Sequence, residues 1–235
     1  MWVGMIWAVV ASLSSAPVPG VSPRDHDNCS QAGDRDRSIA GCTRILEARG
    51  ESASSRAIAY YNRGNVYEAK KDYDHAIADY NEAIRLDPKD VMAFNNRGVA
   101  YRVKANYAEA IDDFNEAIRL VPDFANAFNN RGVAYRNMGD LDRAVADYDQ
   151  AIRIKPDYVA AFYNRGLALA DLGQYEKAIS DFTAVLRVDP KNPTVLYRRG
   201  TAYLKSGDIE AGNGDLAAAK AIKPDIEEDI VRGGP

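Results

Sequence analysis

Five arginines recur at one spacing, Arg63, Arg97, Arg131, Arg165 and Arg199, and an aspartate follows each of them sixteen residues later, at Asp79, Asp113, Asp147, Asp181 and Asp215. A guanidinium and a carboxylate held at that separation can make a two-pronged ion pair, and the row can serve either the fold or an external ligand. Immediately before the arginines stand Asn62, Asn96, Asn130, Asn164 and, at the fifth position, Arg198. A carboxamide donates to a carbonyl and accepts from an amide, so such a row suits the backbone of a bound chain or the support of its own helices. Two cysteines, Cys29 and Cys42, and two histidines complete the reactive inventory. That is too little for a multi-ligand metal site or a Cys/His catalytic centre, and a site built on His26 and Cys29 lacks a fourth ligand. No glycine-rich phosphate loop, nucleophile beside a base or isolated carboxylate pair stands out. The sequence therefore reads as a non-enzymatic protein with no catalytic residue, metal or cofactor.

The bulk properties narrow the class further. Of 235 residues 46% are hydrophobic and 27% charged, the balance of a chain that buries a core. Thirty Lys and Arg against thirty-four Asp and Glu leave a net charge of −4, so there is no basic field to hold nucleic acid. Residues 2–13, WVGMIWAVVASL, form an apolar run too short for a membrane span, which needs roughly 20 residues, and small residues and prolines follow it. The expectation is a signal peptide over 1–20, a protein exported to a periplasmic or extracellular compartment, and no membrane association after processing.

The elements that position the arginines follow from an internal period. Gly64, Gly98, Gly132, Gly166 and Gly200 are spaced by 34 residues, and so are Pro88, Pro122, Pro156, Pro190 and Pro224. With each glycine at the eighth place, the units run 57–90, 91–124, 125–158, 159–192 and 193–226. Large residues then fill the fourth, eleventh and twenty-fourth places, as in Phe94, Tyr101 and Phe114, and small ones the twentieth, as in Ala110. This spacing predicts a helical hairpin in each unit, the glycine of the first helix approaching the alanine of the second. Polar turns such as KKDY and MGDL join the two helices, and the proline stops the second. No strand is expected.

These columns resemble the tetratricopeptide repeat family over residues 57–226. The resemblance implies an all-α solenoid of helix-turn-helix repeats whose first helices line a concave surface that usually holds a segment of another protein. One departure stands out, because the seventh place, usually Leu in the family, is arginine throughout. The antiparallel hairpin brings the twenty-third place near it, and structural Arg–Asp pairs are expected. The groove lining would be Asn62, Asn96, Asn130, Asn164 and Arg198 together with Asn65, Asn95, Asn129, Arg102, Arg136, Tyr61, Tyr163 and Tyr197. A clamp for a C-terminal carboxylate, known in some members, is matched only by Asn164 and Arg198; Asn129, Val133 and Thr194 stand where Lys, Asn and Lys would be wanted.

Both ends are expected to deviate. Residues 33–48 align with 71–86 at an offset of 38, which makes 21–56 a degenerate hairpin plus a polar joint at ESASSR. Cys29 and Cys42 then face each other as core residues of opposite helices, and after an export signal they are expected to form a disulfide. Gly212, Asn213 and Gly214 should weaken the last second helix, and 224–235 supply a capping helix, with Ile226, Ile230 and Val231 turned inward, and a tail. The function so read is a protein-interaction scaffold gripping an extended peptide of a partner of unknown identity, with a self-assembling homo-oligomer as the alternative.

Overall fold

The computed structural model describes residues 21–30 and 33–233, so the apolar run read as an export signal lies outside the described residues. Among the described residues the secondary structure is entirely helical. One compact unit, Met1–Pro88, contains α1 (Pro23–Ser30), α2 (Arg35–Glu47), α3 (Ala53–Ala69) and α4 (Tyr73–Leu86). The second, Lys89–Pro235, contains four hairpins. They are α5 (Val91–Val103) with α6 (Tyr107–Leu120), α7 (Ala125–Asn137) with α8 (Leu141–Ile154), α9 (Val159–Asp171) with α10 (Tyr175–Val188), and α11 (Pro193–Ser206) with α12 (Ile209–Ile222). The short α13 (Ile226–Gly233) follows them. In this unit each of α5 to α12 packs on its chain neighbours within that run, α13 packs on α11, and first helices also meet next-but-one, α5 with α7, α7 with α9 and α9 with α11. This is the architecture of a tetratricopeptide solenoid.

The five turns share one backbone solution. Their fifteenth residue is left-handed, at φ 62° for Lys71 and Ala105, 81° for Gly139, 75° for Gly173 and 97° for Gly207. The amides around it reach back to the ending helix, as Asp140 N to Tyr135 O (2.9 Å) and Gly139 N to Arg136 O (2.9 Å), which satisfies carbonyls the helix leaves open. Asp72, Asp140 and Asp208 then cap the second helices by accepting from the amides of His75, Arg143 and Ala211.

Packing within a hairpin departs from the sequence expectation at one point. A Cβ added at Gly64, Gly98, Gly132 or Gly166 would lie 2.7–2.8 Å from the ring of Tyr80, Phe114, Tyr148 or Phe182, so the glycine makes room for the twenty-fourth place and not for the alanine at the twentieth. Only Gly200 meets the twentieth place, the Gly212 carbonyl at 3.0 Å, where the ring has become Leu216. The alanines instead join successive hairpins, Ala110 and Phe114 packing with Ala134, and Ala144 and Tyr148 with Ala168.

The arginine column lies in the seam between the two helices. Arg97 donates from Nε and Nη2 to both oxygens of Asp113 (2.9 and 2.6 Å), and Arg63–Asp79, Arg131–Asp147, Arg165–Asp181 and Arg199–Asp215 repeat this geometry within 2.6–2.9 Å. Asp79, Asp113, Asp147 and Asp181 are buried. The third nitrogen, Nη1, reaches the preceding hairpin: Arg63 to Thr43 (2.9 Å), Arg131 to Asn115 (2.6 Å), Arg165 to Asp149 (2.5 Å) and Arg199 to Thr183 (3.1 Å). The guanidinium also lies 5.4–5.6 Å from the centre of the fourth-place ring in the first four repeats. Burial pushes the Asp113 carboxyl above its ordinary range against the pull of Arg97.

The degenerate hairpin α1–α2 is pinned by the Cys29–Cys42 disulfide and carries its ion pair with the signs exchanged. Asp25, at the place of Arg63, accepts from Arg44 Nε (2.6 Å) on the second helix and from the amide (2.9 Å) and hydroxyl (2.8 Å) of Ser22. The Ser22 amide above all, then Arg44, holds the Asp25 carboxyl down to about 2. The polar joint expected at ESASSR is largely helix: Ser52 caps it and Ala53–Arg56 lengthen α3 to 17 residues. At the other end α12 keeps the full 14 residues in spite of its glycines, with Gly212 and Ala219 its buried residues. In α13 Ile226 is buried and Ile230 packs inward, but Val231 is 77% exposed, because it is five residues from Ile226 and so lies on another face.

Two predictions follow from the seam and the turns. Asp113→Ala strands Arg97 and should destabilise by about 3 kcal/mol in urea unfolding, whereas Asp112→Ala, at the exposed neighbouring residue, should stay within about 0.5 kcal/mol. Ala105→Gly should raise stability, and Gly139→Ala lower it, each by about 1 kcal/mol at the same left-handed position.

Candidate functional site

The second, sixth, ninth and thirteenth places of a first helix form one stripe. In the unit Lys89–Pro235 the first helices meet one another, so their stripes lie side by side. On this face Met92 (43% exposed) and Val103 (46% exposed) stand apolar in solvent, and Asn126 and Asn137 are exposed.

The asparagines at the sixth place are only partly available. Asn130 Nδ2 donates to Asn95 Oδ1 and Asn164 Nδ2 to Asn129 Oδ1, each at 3.0 Å, and Asn95 Nδ2 donates to Asn96 Oδ1 at 3.0 Å. Each of the first two bonds links one hairpin to the previous one. Asn95 and Asn129 are 6% exposed, which corrects their placement as groove lining. The fifth place turns towards the hairpin's own interior: Tyr61 lies 6.2 Å from the Tyr80 ring and Tyr163 6.1 Å from the Phe182 ring. Where this residue is a shorter Asn, its carbonyl accepts from the amide of the next repeat. One N–H and the carbonyl oxygen of Asn130 and of Asn164 remain outside these bonds.

The other expected lining residues divide similarly. In the first unit Asn65 accepts from the Tyr80 hydroxyl (2.8 Å), which also meets Glu68 (2.8 Å), so Asn65 serves the hairpin. Asn62 lies with its amide nitrogen 4.0 Å from the Cys29 sulfur, close to the disulfide. Tyr163 and Tyr197 pack against the core of the last hairpins. Arg136 donates from Nε (3.1 Å) and Nη2 (2.8 Å) to Asp171 of the next first helix, an ion pair across the face that the sequence reading missed. Arg102 and Arg198 are partly buried on the same helices. A 35-residue separation, one period plus one, links Asn95 to Asn130, Asn129 to Asn164 and Arg136 to Asp171, and that offset was the signal available for all three. Chemically, the face offers amide donors and acceptors, balanced charge and two exposed apolar side chains, the equipment for holding a polar peptide with a few apolar side chains.

Comparison with known proteins agrees with this architecture. Family models described as "Tetratricopeptide repeat" match residues 57–90 and 79–112, and one described as "TPR repeat" matches 104–139, 134–173 and 166–207, together more than half of the chain. Among solved structures, YrrB, described as a TPR protein with an unusual peptide-binding site, is 28% identical, covers 78% of this chain and 93% of its own, and superposes with a TM-score of 0.64. MamA from Desulfovibrio magneticus RS-1 is 18% identical over 74% of this chain and 98% of its own, at a TM-score of 0.68. PilF of Pseudomonas aeruginosa is 17% identical over 90% of this chain and 95% of its own, at 0.73. The last two are likenesses of fold alone. No curated protein matches the sequence.

Asn164→Ala should leave the buried Asn129 oxygen without its donor and destabilise by about 1–3 kcal/mol in urea unfolding. Asn126→Ala, on the exposed part of the same face, should stay within about 0.5 kcal/mol.

Proposed function

The chain belongs to the tetratricopeptide repeat family, and on that premise we propose that it is a non-enzymatic scaffold holding an extended segment of another polypeptide along the first helices of the unit Lys89–Pro235. The observation that carries this reading is the stripe itself, where Met92 and Val103 stay exposed on α5 while Asn130 on α7 and Asn164 on α9 each keep one N–H and the carbonyl oxygen outside the bonds between repeats. An exposed apolar side chain next to unspent amide groups gains contact area and backbone hydrogen bonds when a chain lies over both. The peptide-binding description of YrrB, at 28% identity, supports the same use of the fold. The Cys29–Cys42 bridge supports export to an oxidising compartment, as does the apolar run at the amino end.

Because Asn130 and Asn164 also tie hairpins together, the test uses residues that do not. Wild type and a Val103→Glu/Asn137→Glu variant, matched for helicity and melting temperature, are used to capture partners from an envelope extract. A polypeptide retained by wild type and lost at least tenfold by the variant is the expected result. Equal capture by both, or recovery of further copies of the chain alone, would move function to another face and favour self-assembly.

A further inference from the structure

The twenty-fourth place contains a hydroxyl in two repeats, at Tyr80 and Tyr148, and the two are treated differently. In the first repeat the Tyr80 hydroxyl is bonded to Asn65 and to the Glu68 carboxylate, at the ninth and twelfth places, each at 2.8 Å. The second and fourth repeats have Phe114 and Phe182, with no hydroxyl to satisfy. In the third, Tyr148 is fully buried with its ring against Gly132, as Tyr80 is against Gly64, and its hydroxyl has no hydrogen-bond partner among the described residues. The two residues that stand where Asn65 and Glu68 stand around Tyr80 are Val133 and Arg136. Neither side chain accepts a hydrogen bond. The place that a carboxylate takes in the first repeat is taken in the third by a guanidinium; burial pushes the Tyr148 hydroxyl well above its ordinary range, Arg136 is the foremost charge pulling it back, Asp147 opposes, and Arg102 adds a smaller pull.

A buried hydroxyl without a partner weakens a fold, and the phenylalanines of the neighbouring repeats show that the ring alone fills the space. We propose that the Tyr148 hydroxyl and Arg136, backed by the charge of Arg102, form a subsite for a side-chain carboxylate of the bound segment, an inference that rests on the peptide-binding reading of this face. Arg136 spends Nε and Nη2 on Asp171, which leaves Nη1 outside that pair. The incoming carboxylate accepts from the Tyr148 hydroxyl as Glu68 does from Tyr80, and its charge is matched by the guanidinium that replaces Glu68. The occupant is therefore an acidic segment, with an Asp or Glu side chain lying over the third hairpin.

The test titrates the full chain by NMR with two capped peptides, acetyl-Ser-Gly-Glu-Gly-Ser-amide and its Gln counterpart. Wild type should prefer the Glu peptide by roughly tenfold, and Tyr148→Phe should remove most of that preference. The melting temperature of Tyr148→Phe should equal or exceed that of wild type, whereas Tyr80→Phe, which loses the hydroxyl proton shared between Asn65 and Glu68, should melt lower. Equal binding of the two peptides, no detectable binding of either to wild type, or an unchanged Glu preference in Tyr148→Phe would each overturn the subsite. A lower melting temperature for Tyr148→Phe would also overturn it, since the hydroxyl would then serve the fold. Partner capture lost in Val103→Glu/Asn137→Glu but kept in Tyr148→Phe would sink this subsite alone, and capture unaffected by either variant would sink the groove reading itself.

Discussion

Each of the five repeats is organised around a partly buried arginine with three obligations. Two of its nitrogens grip the aspartate of the facing helix, and in the repeats whose third nitrogen is resolved to a partner that nitrogen reaches the hairpin before it. Its flat face lies near the fourth-place ring of its own helix. A leucine at that place would fill the seam as well, but it would carry no directional information. The guanidinium fork matches a carboxylate in one orientation, so it fixes the register of the two helices and the stacking of neighbours with the same atoms. Desolvation makes this a demanding arrangement, as the raised carboxyl of Asp113 indicates, and it tolerates the loss of neither partner.

Around that seam, a second polar thread runs along the inner face. The asparagine pairs Asn95 with Asn130 and Asn129 with Asn164, and Arg136 with Asp171, join first helix to first helix. The arginine seam and this thread divide the labour of stacking, one through the second helix and the other through the first. Apolar contact between hairpins can then be made largely by small alanines such as Ala134 and Ala168. The face proposed to hold a partner is consequently not a surface added to the scaffold. Several of its residues hold the scaffold together with one half of the side chain and present the other half outward.

The sequence was most legible where one period sets both partners. The Arg and Asp columns, the turn residues and the cysteine pair all sit at places that the hairpin alone determines. It was less legible where geometry between repeats decides the outcome. Asn95 and Asn129 look like their neighbours Asn96 and Asn130 in sequence, yet a rotation of about 100° along the helix turns them inward. The glycine column was correctly read as a close approach and assigned the wrong partner, since the antiparallel register sets it against the ring and not the alanine. Val231 was read as part of an apolar stripe that is one residue too wide. The orphaned Tyr148 hydroxyl is invisible in the sequence, because only comparison of the side chains around Tyr80 and Tyr148 reveals a missing acceptor.

The reversed pair in the first hairpin changes what that hairpin can offer a neighbour. A stacking arginine needs a polar acceptor at the twenty-fifth place of the hairpin before it, filled by Thr43, Asn115, Asp149 and Thr183 where those bonds are made. At the far end that place is Ala217, which accepts nothing, and at the near end the arginine place is Asp25, whose charge is already spent on Arg44. The α11–α12 hairpin has lost the socket and the α1–α2 hairpin the plug. A further hairpin placed after α11–α12 would find no acceptor at Ala217 for its stacking arginine, and one placed before α1–α2 would receive no stacking arginine from Asp25, so the chemistry that joins the repeats also ends the seam on the outer side of each of these two hairpins.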